Sequence, residues 1–473
     1  MCGIVGVISC NDSVSQLIYD SLIFLQHRGQ ESAGIATYKN NRLKIIKDKG
    51  YVKDIFLQNH ISYLNGNNGL GQVRYSTSGS NIYEESQPFY VNYPFGIALV
   101  HNGNLTNFNE LKKYLSFINI RHVNTDSDSE ILLNILANEL QKISNNKSLN
   151  CNKIFQAISS LHNIIKGGYA VVVQILGYGL LAFRDPNGIR PLCLGYKKNK
   201  NKKDWMVTSE SIALEGNNFK FFRDIKPGEA VFIDLSGNFY NYQCSKNHQL
   251  SPCIFEYIYF ARPDSVIDNI LVYEFRLLMG EYLAKRINKY LKTDDIDVVI
   301  PIPDSSRLIA IRLASIMNLK YREGLVKNMY VGRTFIIPKK SIIRKSIRKK
   351  INVIKKECFG KNVLLIDDSI VRGNTSREIV NMVRLAGANK VFLASASPPV
   401  IFPNYYGINI SSKKELIAHG NNNEQIAKII NVDKLIYQKI NDIKKIIFKL
   451  NPSIKRLEAS CFDGDYVTGD IKK

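Results

Sequence analysis

The sequence lacks any apolar run of the roughly 18 residues that a helix needs to cross a bilayer. Its eight cysteines are scattered and form no Cys-x-x-Cys pair, which argues against a zinc or iron–sulfur site and against a disulfide framework. The first residues contain no lysine or arginine, so they do not predict a signal peptide. These absences predict a cytoplasmic protein with reduced thiols and no membrane span.

Acidic residues are too few to balance the basic ones, and the formal net charge is +23. Such a charge could serve nucleic-acid binding. Most of the excess is spread along the chain in lysine-rich segments, which favours a biased composition, and a phosphate-rich substrate would also favour positive potential near its site. The dense basic stretch at 339–356 is the exception. For most of its residues we expect a solvated basic helix.

At 473 residues the chain is long enough for two or three domains. Its first half is rich in short β-like runs, interrupted by a few helical patterns. The polar, turn-rich segment 241–252 is a candidate linker. After it, helical and strand patterns alternate, which is typical of a parallel α/β sheet. The tail from 411 onward is mostly helical in pattern.

Residues 363–376 read VLLIDDSIVRGNTS and predict a buried strand, an acidic pair, a loop of small residues and a helix N-terminus. Loop amides and hydroxyls at the positive end of a helix dipole hold phosphate. Asp367 and Asp368 could accept hydrogen bonds from ribose hydroxyls or help to hold Mg²⁺. The block therefore predicts a site for a phosphorylated sugar, the alternative being an ordinary strand–helix turn with polar ends.

Cys2 follows the initiator methionine. Removal of Met1 would leave a free α-amine, whose reference pKa of ~7.7–8.0 makes it a general base at neutral pH. An N-terminal nucleophile thus carries its own base. The alternative is that a cysteine stands at this position by accident.

Arg74 stands at the end of a predicted strand, where it could grip a substrate carboxylate or form a structural ion pair. Asn102 and Gly103 follow another strand. Asn-Gly is usually a hairpin turn, but the next segment reads as a capped helix. A side-chain amide and a backbone N–H would suit an oxyanion hole.

Asp128 lies in TDSDSEILL, where Ser127 and Glu130 fit a capping box. This places Asp128 in the first helical turn. It is either a carboxylate that stabilises the helix dipole, which physics alone slightly favours, or an acid that holds a substrate ammonium group.

The chain resembles the amidophosphoribosyltransferases, the glutamine-dependent enzymes that begin purine synthesis. The resemblance runs nearly end to end and is carried by MCGIVGV, LQHRGQESAGI, HNGNLTN, TDSDSEILLN, FRDPNGIRPL, EYIYFARPDS, IPIPDSS, VKNMYVGRTFI, DDSIVRGNTS and ELIAHG. It implies an N-terminal Ntn-hydrolase αββα sandwich (2–236), then a type I phosphoribosyltransferase domain with a parallel sheet (250–410). A C-terminal helical extension (411–473) would pack on the transferase domain.

By this resemblance the first site is a glutaminase. Cys2 would be the nucleophile, Asn102 and Gly103 the oxyanion hole, and Arg74 and Asp128 the groups that bind the α-carboxylate and α-amine of glutamine. The seven histidines are scattered, and none is expected to be catalytic.

The resemblance makes the second site the binding site of phosphoribosylpyrophosphate (PRPP). The expected PRPP contacts are Lys327, Arg333, Asp367, Asp368, Ser369, Arg372, Gly373, Asn374, Thr375 and Ser376. One Mg²⁺ per subunit would be held by Ser305, Asp367 and Asp368. Ser305 stands where bacterial members can carry Thr, and Asn374 where Thr is expected; either side chain can still contact its ligand. VKNMYVGRTFIIP would be a mobile loop that closes over PRPP.

Ammonia from glutamine would pass inside the protein to PRPP and give 5-phosphoribosylamine, glutamate and pyrophosphate. The resemblance also implies purine nucleotides as feedback inhibitors and a homo-oligomer, a tetramer in the family, with no nucleic-acid or membrane partner. Since Cys2 directly follows Met1 and the cysteines are not clustered, we expect neither a cleaved propeptide nor an iron–sulfur cluster.

Other functions need features that the chain does not show. Asparagine synthetase, another Ntn amidotransferase, would need an SGGxDS-like ATP site, and glucosamine-phosphate synthase would need sugar-isomerase domains. A PRPP-sensing regulator that binds nucleic acid through 339–356 would leave a complete set of glutaminase residues idle.

Overall fold

The computed structural model describes residues 1–10, 12–75, 83–118, 121–145, 148–199, 202–328, 330, 347–410 and 412–471. Across these ranges, no helix has the length and apolar character that a membrane span requires. Two antiparallel sheets and one parallel sheet organise the fold.

Strands of the first half build two antiparallel sheets. In chain order they are β1 Gly3–Ile8, β2 Ser32–Lys39, β3 Arg42–Lys49, β4 Asn68–Arg74, β5 Phe89–Val91, β6 Ile97–Leu105, β7 Gly167–Ile175, β8 Gly179–Arg184, β9 Cys193–Asn199, β10 Lys202–Thr208, β11 Lys220–Asp224, β12 Glu229–Asp234 and β13 Phe239–Gln243. The seven-stranded sheet has the order β11-β9-β10-β1-β4-β2-β3, and the six-stranded sheet the order β13-β12-β8-β7-β6-β5. Strand β13 reaches past residue 236 into the segment predicted as a linker, so the second sheet extends further along the chain than expected.

Helices cover the outer faces of both sheets. In this half they are α1 Ser15–Phe24, α2 Val52–Ile55, α3 Gln58–Tyr63, α4 Phe108–Lys113, α5 Asp128–Ser144, α6 Cys151–Ile164 and α7 Ile212–Gly216. Strand β1 shows why its sequence is apolar throughout. Ile4 and Ile8 point into the core between the sheets, whereas Val5 and Val7 point into the core beneath α1. A second outer core packs α5 and α6 on the six-stranded sheet. The predicted αββα sandwich is confirmed.

The second half forms a parallel sheet. The strands of this half are β14 Val266–Ile267, β15 Ile270–Leu271, β16 Val298–Pro301, β17 Leu325–Lys327, β18 Ile351–Val353, β19 Asn362–Asp367, β20 Lys390–Ser395 and β21 Lys434–Tyr437, and four of them form the parallel sheet. The parallel sheet has the order β16-β19-β20-β21, while β14 with β15 and β17 with β18 form antiparallel pairs. The predicted parallel sheet is confirmed. Strand β21 comes from the tail, so the segment after 411 is not only a helical extension but also supplies a strand of the sheet.

Helices pack on both faces of the parallel sheet. They are α8 Val272–Ile287, α9 Arg307–Met317, α10 Lys355–Cys358, α11 Asn374–Leu385, α12 Asn423–Ile430, α13 Ile440–Leu450 and α14 Ser460–Asp463. Leu364 and Ile366 belong to the core on one face, and Val363 and Leu365 to the core on the other. Short 3-10 turns occupy Gln26–Arg28, Tyr83–Glu85, Thr293–Asp295 and Lys413–Glu415, and π turns occupy Tyr114–Ile118 and Glu256–Phe260.

The strand order places the second candidate site. Strands β16 and β19 are parallel neighbours, with Pro301 opposite Ile366. The backbone nitrogen of Ile302 donates to the Ile366 carbonyl oxygen at 2.8 Å just beyond β16. The loops after these strands therefore meet at the carboxyl edge of the sheet, where ligands bind in open α/β folds.

Candidate active sites

Cys2 lies at the start of β1, buried between the two antiparallel sheets. Its backbone nitrogen donates to Asn102 Oδ1 at 3.0 Å, and its Sγ lies 3.8 Å from the carbonyl oxygen of Tyr75. Asn102 belongs to the facing sheet, on β6. Packing of the two sheets thus joins the predicted nucleophile to the predicted oxyanion residue, 100 positions away in the sequence.

The second polar atom of Asn102 is a free donor. Asn102 Nδ2 is buried and has no hydrogen-bond partner among the described residues. Gly103 follows with φ of 151°, and a Cβ there would overlap the carbonyl oxygen of Gly168 on the neighbouring strand. Asn102 and Gly103 lie within a strand and not in a hairpin turn. An unused N–H donor beside a thiol is what an oxyanion hole requires.

Arg74 ends β4, as the sequence predicts. Its Nη2 lies 2.6 Å from Glu85 Oε2, and both side chains are buried. The structural ion pair weighed from the sequence is therefore present. Binding of a substrate carboxylate by Arg74 stays a prediction.

Asp128 is the first residue of α5, and Ser127 Oγ caps this helix by accepting from the nitrogen of Ser129. Glu130 accepts from the nitrogens of Asn124 and Thr125, so the reciprocal half of the predicted capping box is absent. Asp128 Oδ2 accepts from the nitrogen of Leu105 at 3.0 Å, which ties the acid to the end of β6.

Arg28 is a functional candidate that sequence reasoning missed. Its Nε donates to the carbonyl oxygen of Cys2 at 3.0 Å, its Nη1 donates to Glu210 Oε1, and its Nη2 donates to both carboxylate oxygens of Glu256 at 2.8 and 2.9 Å. Burial alone would lower the pKa of this guanidinium, but the charges of Glu256 and Glu210 raise it above its ordinary value. Arg28 stands in LQHRGQESAGI, a segment that carries the family resemblance but in which no site residue was predicted.

Met1 is buried with Cys2. Burial lowers the pKa of its amine to about 5, and its side chain belongs to the core that surrounds the parallel sheet. Arg190 Nη1 lies 2.8 Å from Met1 Sδ. With Met1 in place the nitrogen of Cys2 is an amide and cannot act as a base.

Asp367 and Asp368 follow β19 at the sheet edge. Ser305 Oγ donates to Asp368 Oδ2, and Ser369 Oγ donates to Asp368 Oδ1 at 2.7 Å. Burial, together with the charge of Asp368, raises the pKa of Asp367 well above its usual range, and burial also raises the pKa of Asp368. The structure brings together the three residues predicted to hold Mg²⁺. Burial and mutual repulsion disfavour the charged forms of this pair, and a bound cation would stabilise them.

The loop after the acids leads into α11. Gly373 precedes the helix with φ of 73°, Asn374 is its first residue, and Thr375 and Ser376 lie in its first turn. Arg372 is exposed and pairs with Glu415, with Nη2 2.6 Å from Oε2. The backbone amides of a helix start suit phosphate, and contact of Arg372 with that phosphate stays a prediction.

Lys327 Nζ lies 2.6 Å from Asp304 Oδ2, beside Ser305. Arg333 and the first part of the basic stretch, residues 339–346, lie outside the described residues. The described part of the chain contains no group of three or more His, Cys, Asp or Glu side chains placed to hold a metal. Mg²⁺ commonly uses one or two carboxylates plus waters and substrate phosphates, so an acid pair with a neighbouring hydroxyl fits this ion.

The chain is similar to known proteins along its whole length. Residues 73–216 match the sequence family described as glutamine amidotransferase domain. The amidophosphoribosyltransferase of Pasteurella multocida is 52% identical over 473 residues, which cover 100% of this chain and 94% of that protein. The amidophosphoribosyltransferase of Saccharomyces cerevisiae is 46% identical over 483 residues, which cover 99% of this chain and 93% of that protein.

A solved structure shares the whole fold. The glutamine PRPP amidotransferase from B. subtilis, complexed with ADP and GMP, is 35% identical with a TM-score of 0.85, and the match covers 98% of this chain and 97% of that chain. The similarity therefore spans both sheet systems and both candidate sites. The chain belongs to the amidophosphoribosyltransferase family.

Proposed function

We propose that the chain uses Cys2 to release ammonia from glutamine and Asp367 and Asp368 to present PRPP to that ammonia, in the first committed step of purine biosynthesis. The observation that carries the proposal is that only one of the two polar atoms of the Asn102 side-chain amide has a hydrogen-bond partner among the described residues. Its oxygen accepts from the Cys2 nitrogen at 3.0 Å, while its Nδ2 is buried with no partner in the described part of the chain. That donor is available to an oxyanion formed at the Cys2 thiol.

In the first reaction, removal of Met1 frees the α-amine of Cys2, which takes the thiol proton. The sulfur attacks the amide carbon of glutamine, and Asn102 Nδ2 with the Gly103 N–H stabilises the oxyanion. The α-amine passes its proton to the leaving nitrogen, so collapse of this intermediate releases ammonia and leaves a thioester. Water then hydrolyses the thioester to glutamate and restores the thiol. Arg74 and Asp128 hold the α-carboxylate and α-amine of glutamine.

In the second reaction, ammonia attacks C1 of PRPP, and pyrophosphate leaves to give 5-phosphoribosylamine. Asp367 and Asp368 accept hydrogen bonds from the ribose hydroxyls, and the loop that ends in Arg372 binds the 5′-phosphate with the helix start, Gly373, Asn374, Thr375 and Ser376. Lys327 and Arg333 contact the pyrophosphate. Ser305 and the two acids would hold one Mg²⁺ per subunit, which would neutralise negative charge on the leaving group. Ammonia is already a nucleophile, so the site needs mainly positioning and charge stabilisation.

The finer assignments follow from the family. The first domain, expected over 2–236, extends through strand β13, and the transferase domain, expected over 250–410, takes strand β21 from the extension 411–473. Purine nucleotides act as feedback inhibitors, which is supported by the ADP and GMP of the B. subtilis structure. The protein works in the cytoplasm as a homo-oligomer, a tetramer by resemblance, without nucleic-acid or membrane partners.

The test follows glutamate and pyrophosphate release together. Cys2→Ala should abolish glutamine use and spare synthesis from ammonium salts, because only the first site needs the thiol. Cys10→Ala, at a partly exposed cysteine near the same end of the chain, is the matched control and should behave as the parent protein. The double variant Asp367→Ala with Asp368→Ala should lose synthesis from either nitrogen source. Normal glutamine consumption by Cys2→Ala would refute the proposal.

A further inference from the structure

Successive residues at the end of β6 and just after it contact either the predicted glutamine site or residues of the second half of the chain. Asn102 accepts from Cys2, and the nitrogen of Leu105 donates to Asp128. Asn104 Nδ2 donates to the carbonyl oxygen of Tyr405 at 2.9 Å, and Thr106 Oγ1 donates to Asp470 Oδ2 at 2.6 Å. One short run of backbone therefore carries both the predicted catalytic groups and contacts to residues 300 or more positions later.

Two tail residues join Thr106 and Tyr406 in a hydrogen-bonded cluster. We call this cluster the tail clasp, and it consists of Thr106, Tyr406, Thr468 and Asp470. Tyr406 Oη and Thr468 Oγ1 are 2.7 Å apart, and the nitrogen of Thr468 donates to Tyr406 Oη at 3.2 Å. Thr468 Oγ1 also donates to Asp470 Oδ1. Asp470 thus receives hydroxyl hydrogen bonds on both carboxylate oxygens, and Tyr406 is fully buried.

Residues 405–407, next to Tyr406 of the tail clasp, pack directly against the backbone of Gly103. Gly407 has φ of 101°, and a Cβ on it would lie 3.0 Å from the carbonyl carbon and oxygen of Gly103. The Tyr406 carbonyl oxygen accepts from Arg190 Nε at 2.8 Å, which fixes the segment from the other side. A movement of residues 405–407 would therefore displace Gly103.

We propose that Asp470 and Thr468 are positioning residues of the glutamine reaction, which hold the backbone N–H groups of Gly103 and Leu105 in their working directions through the tail clasp. The inference rests on the proposed function, since it takes Gly103 as an oxyanion donor and Asp128 as a glutamine ligand. Neither Asp470 nor Thr468 contacts a reacting atom. Their effect comes from geometry, because an oxyanion donor must lie within about 0.5 Å of its productive position.

The experiment compares Asp470→Ala and Thr106→Val with the parent enzyme, using glutamine and then ammonium salts as nitrogen source. Loss of a hydrogen bond to a charged group corresponds to a fall of roughly tenfold or more in kcat/KM for glutamine. Most of the fall should be in kcat, since oxyanion stabilisation acts in the transition state. Synthesis from ammonium salts should stay within about twofold of the parent, because these variants disturb only the glutamine site.

Three further variants make the outcome decisive. Asp470→Asn keeps an oxygen acceptor for Thr106 and should recover most of the rate. Combining Asp470→Ala with Thr106→Val should cost no more than Asp470→Ala alone, because that variant has already lost the bond from Thr106. Asp465→Ala is the matched control: it removes an exposed ion pair with Arg456 in the same tail segment, at 3.0 Å, and should leave the glutamine reaction unchanged.

Unchanged glutamine kinetics in Asp470→Ala would overturn the inference, and so would an equal loss of the ammonium reaction, which would mean that the tail only stabilises the second site. Either result leaves the proposed function standing if Cys2→Ala has lost glutamine use. Glutamine consumption that does not depend on Cys2 would instead refute the proposed function itself.

Discussion

The guanidinium of Arg28 connects Cys2 to Glu256: one nitrogen donates to the Cys2 carbonyl oxygen at 3.0 Å, and another donates to both carboxylate oxygens of Glu256 at 2.8 and 2.9 Å. Glu256 lies on the π turn that leads from the antiparallel sheets into the parallel-sheet half. Arg28 therefore holds the backbone of Cys2 and, at the same time, a carboxylate at the start of the parallel-sheet half. Only a planar fork of donors can make this set of bonds.

Replacing Arg28 should destabilise the protein strongly. Arg28→Met leaves Glu210 and Glu256 buried beside an apolar side chain, which for broken buried pairs costs about 3–5 kcal/mol. Urea unfolding measures the loss. Arg262→Met is the control, because its ion pair with Asp264 is about 40% exposed and such pairs contribute only ~0–1 kcal/mol. Equal effects of the two substitutions would contradict the role assigned to Arg28.

Asn102→Ala should lower kcat for glutamine by roughly 10²-fold, the usual cost of removing one oxyanion donor. The substitution removes both the free Nδ2 and the oxygen that accepts from Cys2. Synthesis from ammonium salts should be retained. Steady-state glutamate and pyrophosphate assays check this, and a parallel loss of the ammonium reaction would show that Asn102 acts on the whole fold.

We expect Met1 to be removed before the chain folds. Met1 is only 3% exposed, so an aminopeptidase cannot reach it in the folded chain. Protein made without aminopeptidase should keep Met1 when incubated with the enzyme in buffer and lose it only after unfolding, as read by intact mass. The form that retains Met1 should use ammonium salts but not glutamine. Full glutamine activity with Met1 attached would refute the role of the Cys2 amine.

Asp224 should make the protein less stable at alkaline pH. Burial, and then the charge of Asp268, raise its pKa from the ordinary 3.8 to about 8, although Arg184 opposes the shift. Between these values the folded chain binds a proton that the unfolded chain does not, so stability falls as pH rises through about 8. Asp224→Asn mimics the protonated acid and should flatten this dependence in urea titrations from pH 6 to about 9. An unchanged slope would contradict the assignment.

Local patterns in the sequence were enough to predict the elements that carry the sites. The strand before Asp367, the helix that begins at Asp128 and the strand that ends at Arg74 all lie where their residues indicated. Each is a short signal of strand or capping chemistry, which acts over a few residues. The sandwich and the parallel sheet followed from the family resemblance and from alternation of elements.

What the sequence did not predict depends on distant partners. Arg28 meets Glu210 and Glu256 across 182 and 228 positions, and no local pattern marks such a contact. Strand β13 runs into the first three residues of the segment expected as a linker, 241–252, and its pairing with β12 is what the sequence did not predict. The pairing of the exposed Arg372 with Glu415 was also not predicted, and its role as a phosphate ligand stays a prediction.

Gly103 and Gly407 face each other without side chains, one from each half of the chain. A Cβ on Gly407 would press on the carbonyl group of Gly103, so Gly407 can accept a larger residue only if that backbone moves. A chimera that joins this N-terminal half to a transferase half from another protein would inherit that constraint. It would form a working glutamine pocket only where the incoming half also presents bare backbone at this point.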